Sequence, residues 1–320
     1  MRAIVVSRNG GPEVLEATER EDPVPGPGEV LIELAASGVN YIDVYFRTGA
    51  YPQPMPYVPG VEGAGTVAAL GEGVTGFSVG DRVAWVNVPG SYAQYAAVPA
   101  DVVVPVPDEL DLEVAAASLL QGITAEYLTR STYEVKPGDT VLVHAAAGGM
   151  GLLLVQLCKL FGARVIGTVS TPEKEKTARD AGADEIVGYD GFAEEVRRLT
   201  GGEGVAVVYD GVGAPTFDGS LAGLRRRGMM VLYGAAGGRV APVDPQRLNT
   251  AGSLFLTRPT LYHYTHTREE LLERATAVYG WVASGDLRVH IGHRYDVADA
   301  RAAHEDLEGR RTTGKLLLIP

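Results

Sequence analysis

Residues 141 to 151 read VLVHAAAGGMG. Val141 to His144 form a short apolar run, as a buried strand would. Ala145 to Gly151 form a glycine-rich turn, and Leu152 to Phe161 are apolar over most of a helical surface. Strand, glycine turn and helix in that order are what a pyrophosphate requires. The glycines let backbone N–H groups approach the phosphates, and the helix N-terminus adds the positive end of its dipole. On the G-x-G-x-x-G template Gly148 takes the second glycine and Gly151 the third, with Gly149 and Met150 between them. Ala146 stands at the first. Glycine turns before helices are common, so the motif draws its weight from its surroundings.

Those surroundings alternate. Arg164 to Val169, Glu185 to Tyr189, Val205 to Asp210, Met229 to Tyr233 and Ser253 to Leu256 have strand patterns. Pro172 to Ala181, Phe192 to Thr200 and a stretch through Leu221 have helical ones. Pro172 suits a first helical turn. This alternation predicts a parallel, doubly wound sheet covered on both faces. Residues 1 to 110 differ. Ala3 to Val6 and Val14 to Glu19 flank Gly10-Gly11 and predict a hairpin. Val30 to Ala35, Val61 to Leu70, Ser78 to Val86 and Tyr92 to Val98 predict further strands, and Asn40 to Arg47 a short helix. Tyr51 to Pro59 holds four prolines and predicts an irregular loop. The whole suggests a partly open β-barrel. Asp111 begins a helix, and a helical pattern resumes from Thr124 to Arg130.

Residues 268 to 284 and Ala298 to Leu307 predict two helices, and Lys315 to Ile319 a closing strand. One strand cannot make a sheet of its own, so it is expected to rejoin the N-terminal domain. The expected division is 1–120 with 260–320, and 121–259. The fold class is α/β. A formal net charge of −12 disfavours nucleic-acid or membrane-surface partners. No apolar run approaches the length of a membrane span. The start, MRAIVVSRNGGPEV, lacks a secretory apolar region and reads as the first strand, and a single cysteine, unable to form an internal disulfide, leads to the expectation of a cytoplasmic location. The one cysteine, Cys158, falls in the helix after the glycine turn and reads as a core residue.

GGPEVL at 10–15, SGVNYID at 37–43, VPGVEGAGTV at 58–67, GDRV at 80–83, AAAGGMG at 145–151, VYDGVG at 208–213 and TGKLLLIP at the C-terminus together resemble one family. The chain is similar to the zinc-free quinone oxidoreductases of the medium-chain dehydrogenase/reductase superfamily. The resemblance implies a GroES-like catalytic domain split by a Rossmann domain, NADPH as hydride donor, and a homodimer. Quinones or other conjugated carbonyls would be the acceptors, reduced by hydride or stepwise electron transfer without metal. Zinc alcohol dehydrogenases share this fold. They carry a cysteine ligand where this chain has Asn40, and a histidine in a G-H-E motif where it has Gly60-Val61-Glu62. His263 with His266, and His290 with His293, have metal-like spacing but no third partner near in sequence, and read as surface or packing residues. No metal is therefore expected.

By the same resemblance Asn40, Asp43, Tyr45 and Tyr51 line the nicotinamide and quinone pocket. The Asn40 amide and the tyrosine hydroxyls are the candidate donors to a developing oxyanion. Asp43 serves equally well as a brace for the short helix. NAD-specific domains place an acid about 20 residues after the glycine turn. Here the strand ends TVSTPEK, so Ser170, Thr171 and Lys174 favour a 2′-phosphate. Tyr189 and Arg310 match family positions on that phosphate. Tyr233-Gly234 and Arg258 are expected at the cofactor, and Thr124 and Gln121 at the nicotinamide ribose or in plain helix packing. Gly211 stands where the family often has serine. Two rivals share the scaffold: an NADPH-dependent reductase of activated C=C bonds in enones or alkenals, and a non-enzymatic NADPH-binding structural or RNA-binding protein.

Overall fold

A computed structural model describes residues 1–320. The chain forms two compact units: Met1–Ile123 with Thr265–Gly285 and Val289–Pro320, and Thr124–Tyr264 with Asp286–Arg288.

The first unit opens with β1 (Arg2–Val5) and β2 (Glu16–Glu19), an antiparallel pair. Their connection is longer than a glycine turn, because Pro12–Val14 coils once and buries Val14. β3 (Glu29–Val39) runs past the expected Ala35. Gly38 makes this possible: a Cβ there would lie 2.2 Å from a Glu62 carboxylate oxygen and 2.8 Å from the Lys315 side chain. α1 (Tyr41–Arg47) follows. β4 (Glu62–Leu70), β5 (Arg82–Val86), β6 (Tyr95–Pro99) and β7 (Val103–Pro105) complete the antiparallel run. The glycines of β4 have a packing cause, since a Cβ on Gly65 would sit 1.9 Å from the Glu33 carbonyl. Val30, Ile32, Val67, Val83 and Trp85 fill the core of this GroES-like sheet. α2 (Leu112–Tyr127) is one helix where the sequence suggested two stretches. The Asp111 carboxylate accepts from the Glu113 and Val114 N–H groups at its start.

The second unit holds β8 (Thr140–Val143), α3 (Gly149–Leu160), β9 (Arg164–Thr168), α4 (Pro172–Asp180), β10 (Glu185–Val187), α5 (Phe192–Leu199), β11 (Val205–Asp210), α6 (Phe217–Gly223), β12 (Leu224–Leu232), α7 (Gln246–Thr250) and β13 (Phe255–Thr257). Its six strands are all parallel in the order β10-β9-β8-β11-β12-β13. β11 is buried throughout, which explains its unbroken VAVVYD run. Strand order reverses direction between β8 and β11, the switch point at which such sheets bind ligands.

The chain then returns to the first unit. Thr267 and Glu270 cap α8 (Arg268–Ser284) reciprocally, hydroxyl to N–H and carboxylate to N–H. β14 (Ile291–Asp296), α9 (Ala300–Glu308) and β15 (Lys315–Ile319) follow. β15 pairs antiparallel with β3 through Ser37–Val39, as a returning strand must. It is not alone, however. β14, which the sequence reading missed, lies parallel beside it. β14 reads IGHRYD and buries no side chain fully, so no alternation marks it. No helix is long and apolar enough to cross a membrane.

Candidate active site

The first unit gathers its polar residues around the start of α1. Asn40 is 3% exposed and all its side-chain valences are met inside the chain. Its Nδ2 donates to the Gly38 carbonyl at 3.2 Å and to Glu62 Oε2 at 2.8 Å. Its Oδ1 accepts from Lys315 Nζ at 2.7 Å and from Gln121 Nε2 at 3.3 Å. Both N–H bonds of the amide expected to serve an oxyanion thus point to internal acceptors. Lys315 Nζ also lies 2.5 Å from Glu62 Oε2, and Glu62 Oε1 takes the Leu120 N–H at 2.6 Å. Asn40, Glu62 and Lys315 thus close a ring of three hydrogen bonds around a buried ion pair.

Asp43 is 1% exposed. Its Oδ2 accepts from the Asn40 N–H at 2.8 Å, capping α1, and from the Tyr92 hydroxyl at 3.1 Å. Burial pushes its carboxyl up to about 7. Beyond Tyr92 lies His304 at 3.0 Å, then Arg47, whose guanidinium also meets Glu308 at 2.6 Å. Asp43 and Arg47 stand one turn apart on the buried face of α1. Tyr41 and Tyr45 stand one turn apart on the opposite face, half-buried, with ring centroids 5.7 Å apart. Tyr51 packs against Tyr45 at 5.2 Å and Phe46 at 6.0 Å. Tyr45 and Tyr51 are therefore brought together as a tilted aromatic pair, their planes 60° apart. Arg310 is exposed just past α9, in a left-handed conformation at φ 55°.

In the second unit the glycine turn joins β8 to α3, with Gly148 as the residue before the helix and Gly149, Met150 and Gly151 as its first turn. Gly151 has no substitute: a Cβ there would lie 2.2 Å from the Ala145 carbonyl oxygen. Ala145 itself has φ 50°, a left-handed conformation that costs a non-glycine residue energy. Below the turn sits a buried polar cluster that the sequence reading passed over. His144 meets the hydroxyls of Thr168 at 3.0 Å and Ser220 at 2.9 Å. Asp210 accepts from the Val212 and Gly213 N–H groups and from the Thr216 and Ser220 hydroxyls. The only signal in sequence was the presence of polar residues inside otherwise apolar strands.

Ser170 and Thr171 are exposed after β9, and Lys174 is half-buried in the first turn of α4. The Thr171 hydroxyl accepts the Lys174 N–H at 3.3 Å, so the strand end and the lysine belong to one capped turn. Tyr189 lies two residues beyond β10, not at its end, and its ring stacks 6.2 Å from His144. The Tyr233 ring covers Gly211, where a Cβ would come within 2.8 Å of it, and Arg258 donates to the Tyr233 carbonyl at 2.7 Å. Gly234 is packed as tightly, 2.6 Å from the Gly211 carbonyl for a Cβ. Thr124 is 9% exposed within α2.

Two family models match: an alcohol dehydrogenase GroES-like domain at residues 26–108 and a zinc-binding dehydrogenase domain at 149–277. A quinone oxidoreductase of Pseudomonas aeruginosa is 45% identical, over 97% of each chain. A mycobacterial protein solved in complex with NADPH is 53% identical and superposes with a TM-score of 0.98 over 100% of both chains. The chain belongs to the quinone oxidoreductase family of the medium-chain dehydrogenases/reductases. A 2-haloacrylate reductase of a Burkholderia species is similar as well, 43% identical over 99% of this chain and 98% of its own. One matching model takes its name from zinc, but this quinone oxidoreductase does not offer zinc a fitting donor set. Asn40 and Glu62 hold an ammonium, and no three His, Cys, Asp or Glu side chains are grouped to bind a metal ion.

Proposed function

We propose that this chain reduces quinones, with NADPH as the hydride donor and no metal. The observation that carries the reading is the Lys315 ammonium seated on Asn40 and Glu62. A site that fills this corner with its own neutralised cation has no Lewis acid to polarise an unactivated ketone. It suits acceptors that take hydride without one, and a quinone is such an acceptor.

The residues present fit the cofactor. The tight turn at Gly148–Gly151, which admits no Cβ at Gly151, opens α3, as a pyrophosphate requires. Ser170, Thr171 and Lys174 supply two hydroxyls and a cation, which suits the 2′-phosphate, while the Glu173 carboxylate shares their turn and bonds the Thr171 side chain. Tyr189 and Arg310 are carried for that phosphate by family resemblance alone, as Tyr233, Gly234, Arg258 and Thr124 are for the rest of the cofactor. Bound there, NADPH supplies the hydride. Tyr45 and Tyr51, tilted 60° to one another, offer the acceptor ring apolar aromatic faces and phenolic protons. Asn40 acts as a braced wall of the pocket, and Asp43 holds the helix that carries Tyr45. The product's proton comes from solvent or a tyrosine. The first unit is the catalytic one in this reading and the second the cofactor-binding one.

The same proposal includes a homodimer joined along β13, the sheet edge, where Phe255 is 56% exposed. A monomer by light scattering at micromolar concentration would end that part. A cytoplasmic location belongs with a lone, buried, free cysteine, and cell fractionation tests it. No nucleic-acid or membrane partner is proposed.

The 2-haloacrylate reductase relative favours a second reading, reduction of an activated C=C bond. An NADPH-oxidation assay against quinones, enones and aldehydes separates the two. Turnover confined to enones would replace the quinone reading, and NADPH binding without turnover on any acceptor would overturn both.

A further inference from the structure

His144 is 0% exposed, lies at the end of β8, and has no part in the chemistry described above. Its hydrogen bonds can be assigned a direction. The Asp210 carboxylate can only accept, so the Ser220 hydroxyl, 3.0 Å from Oδ2, gives it its single proton. The Ser220 oxygen must then accept from His144 Nε2 at 2.9 Å, which places the imidazole proton on Nε2. On the other side Thr168 Oγ1 accepts the Ala145 N–H at 3.1 Å and turns its own proton to His144 Nδ1 at 3.0 Å. Every bond in the sequence Ala145 N–H, Thr168, His144, Ser220, Asp210 runs the same way. Asp210 ends it as the common acceptor, taking the Val212 and Gly213 N–H groups as well at 2.8 and 2.9 Å.

The two ends of this chain are the turns that leave β8 and β11, the neighbouring strands at which the sheet order reverses. One end is the glycine turn, beginning with the strained Ala145. The other is the Asp210-Gly211-Val212-Gly213 turn, on which Tyr233 rests. The groups facing the imidazole complete the enclosure: Asp210 Oδ2 at 3.9 Å, Phe192 edge-on at 4.9 Å and Tyr189 stacked at 6.2 Å. Burial holds the ring neutral, well below the usual histidine range at about 4, although Asp210 acts the other way. A neutral ring is what the directed bonds require, since Nδ1 must keep its lone pair.

We propose that His144 is a positioning residue for the dinucleotide: held as the neutral Nε2–H tautomer, it ties the glycine turn to the Asp210 turn and fixes the spacing into which the cofactor's pyrophosphate half fits. The proposal rests on the NADPH-binding reading above and extends it to residues that never touch the cofactor. Because the pyrophosphate half is common to both nicotinamide dinucleotides, loss of the tie must weaken NADPH and NADH alike. Loss of a contact to the 2′-phosphate would discriminate between them.

The experiment is a fluorescence titration of the whole chain with NADPH and with NADH, for wild type, His144→Phe, His144→Gln and Ser220→Ala. His144→Phe keeps a ring and loses both bonds. His144→Gln can still accept and donate. Ser220→Ala removes the acceptor of Nε2–H and the donor to Asp210 but leaves the imidazole in place, and is the gentler change if His144→Phe does not fold. The expected result is a rise of roughly three- to tenfold in both dissociation constants for His144→Phe and Ser220→Ala, with partial recovery in His144→Gln. Nitrogen-15 NMR of labelled wild-type histidine should show Nε2 protonated and no titration of this ring above pH 5. Folded variants with both constants within twofold of wild type would overturn the proposal, as would an Nδ1–H tautomer. Failure of the wild type to bind either dinucleotide would instead overturn the cofactor reading, and the tautomer measurement would still stand.

Discussion

Replacing Lys315 by methionine tests the buried ring at the start of α1. The Lys315 and Glu62 side chains are 1% and 0% exposed and lie 2.5 Å apart. Lys315→Met removes the ammonium but leaves the carboxylate in place, still holding the Leu120 N–H and the Asn40 amide. Two neutral donors do not replace a counter-charge. Breaking a buried pair from one side costs about 3–5 kcal/mol. Glu62→Gln has the converse fault. The carboxylate accepts at both oxygens from three donors, so one half of the new amide must turn its own N–H bonds toward a donor. The double variant contains neither charge and should cost much less than the sum of the two, with a coupling of at least about 2 kcal/mol. Urea denaturation followed by tryptophan fluorescence reads the right region, because Trp85 and Trp281, the only tryptophans, both belong to the first unit. Costs that add to within about 0.5 kcal/mol would show that the two side chains do not act as a pair.

Three further outcomes are expected. Lys174→Ala should raise the NADPH dissociation constant about ten- to a hundredfold, the value of one charge-assisted hydrogen bond; NADH binding should barely change, and an equal loss for both cofactors in a titration would refute the role. Gly151→Ala must push a methyl against the Ala145 carbonyl, 2.2 Å away, so calorimetry should show a lower melting temperature and titration a loss of both dinucleotides. Asp43 has a folded-state pKa raised from 3.8 to about 7, so its protonated form favours the fold below pH 4 and that contribution fades as pH rises to 7. His144 and His304, lowered to about 4 and about 3, slope the other way below pH 6.5. Wild-type melting temperature relative to Asp43→Asn should therefore fall between pH 4.5 and 7, and parallel curves would refute the assignment.

Much of the architecture was legible because it rests on local periodicity. The alternation after residue 140 and the glycine turn follow from neighbours in sequence, and the parallel sheet follows from them. β14 escaped because Ile291–Asp296 lies at a sheet edge with no fully buried face, so nothing forced an apolar pattern on it. The site was legible in membership more than in role. Asn40 stood out by its place in SGVNYID, but the direction of its amide is set by Glu62, 22 residues away, and Lys315, 275 residues away. No local pattern records such partners. Asp43 was open to two readings in sequence, and its bond from the Tyr92 hydroxyl, 49 residues on, is a partner no local pattern records. His144 looked like the last residue of an apolar strand, and its partners Thr168 and Ser220 come from two later crossovers.

The late arrival of Lys315 also has a consequence in time. Synthesis adds roughly 5–20 residues per second, so Lys315 emerges roughly 15 to 55 seconds after Asn40, given their separation of 275 residues. Throughout that interval Glu62 has no ammonium, and Ser37–Val39 of β3 has no β15 beside it. The six parallel strands, complete by Thr257, can assemble well before then. Until β15 arrives, the sheet of the first unit lacks the strand that pairs with the end of β3, and that same strand brings the Lys315 ammonium to Glu62. A chain cut short before Lys315 would leave Ser37–Val39 of β3 unpaired, and an unpaired strand edge is a template for aggregation.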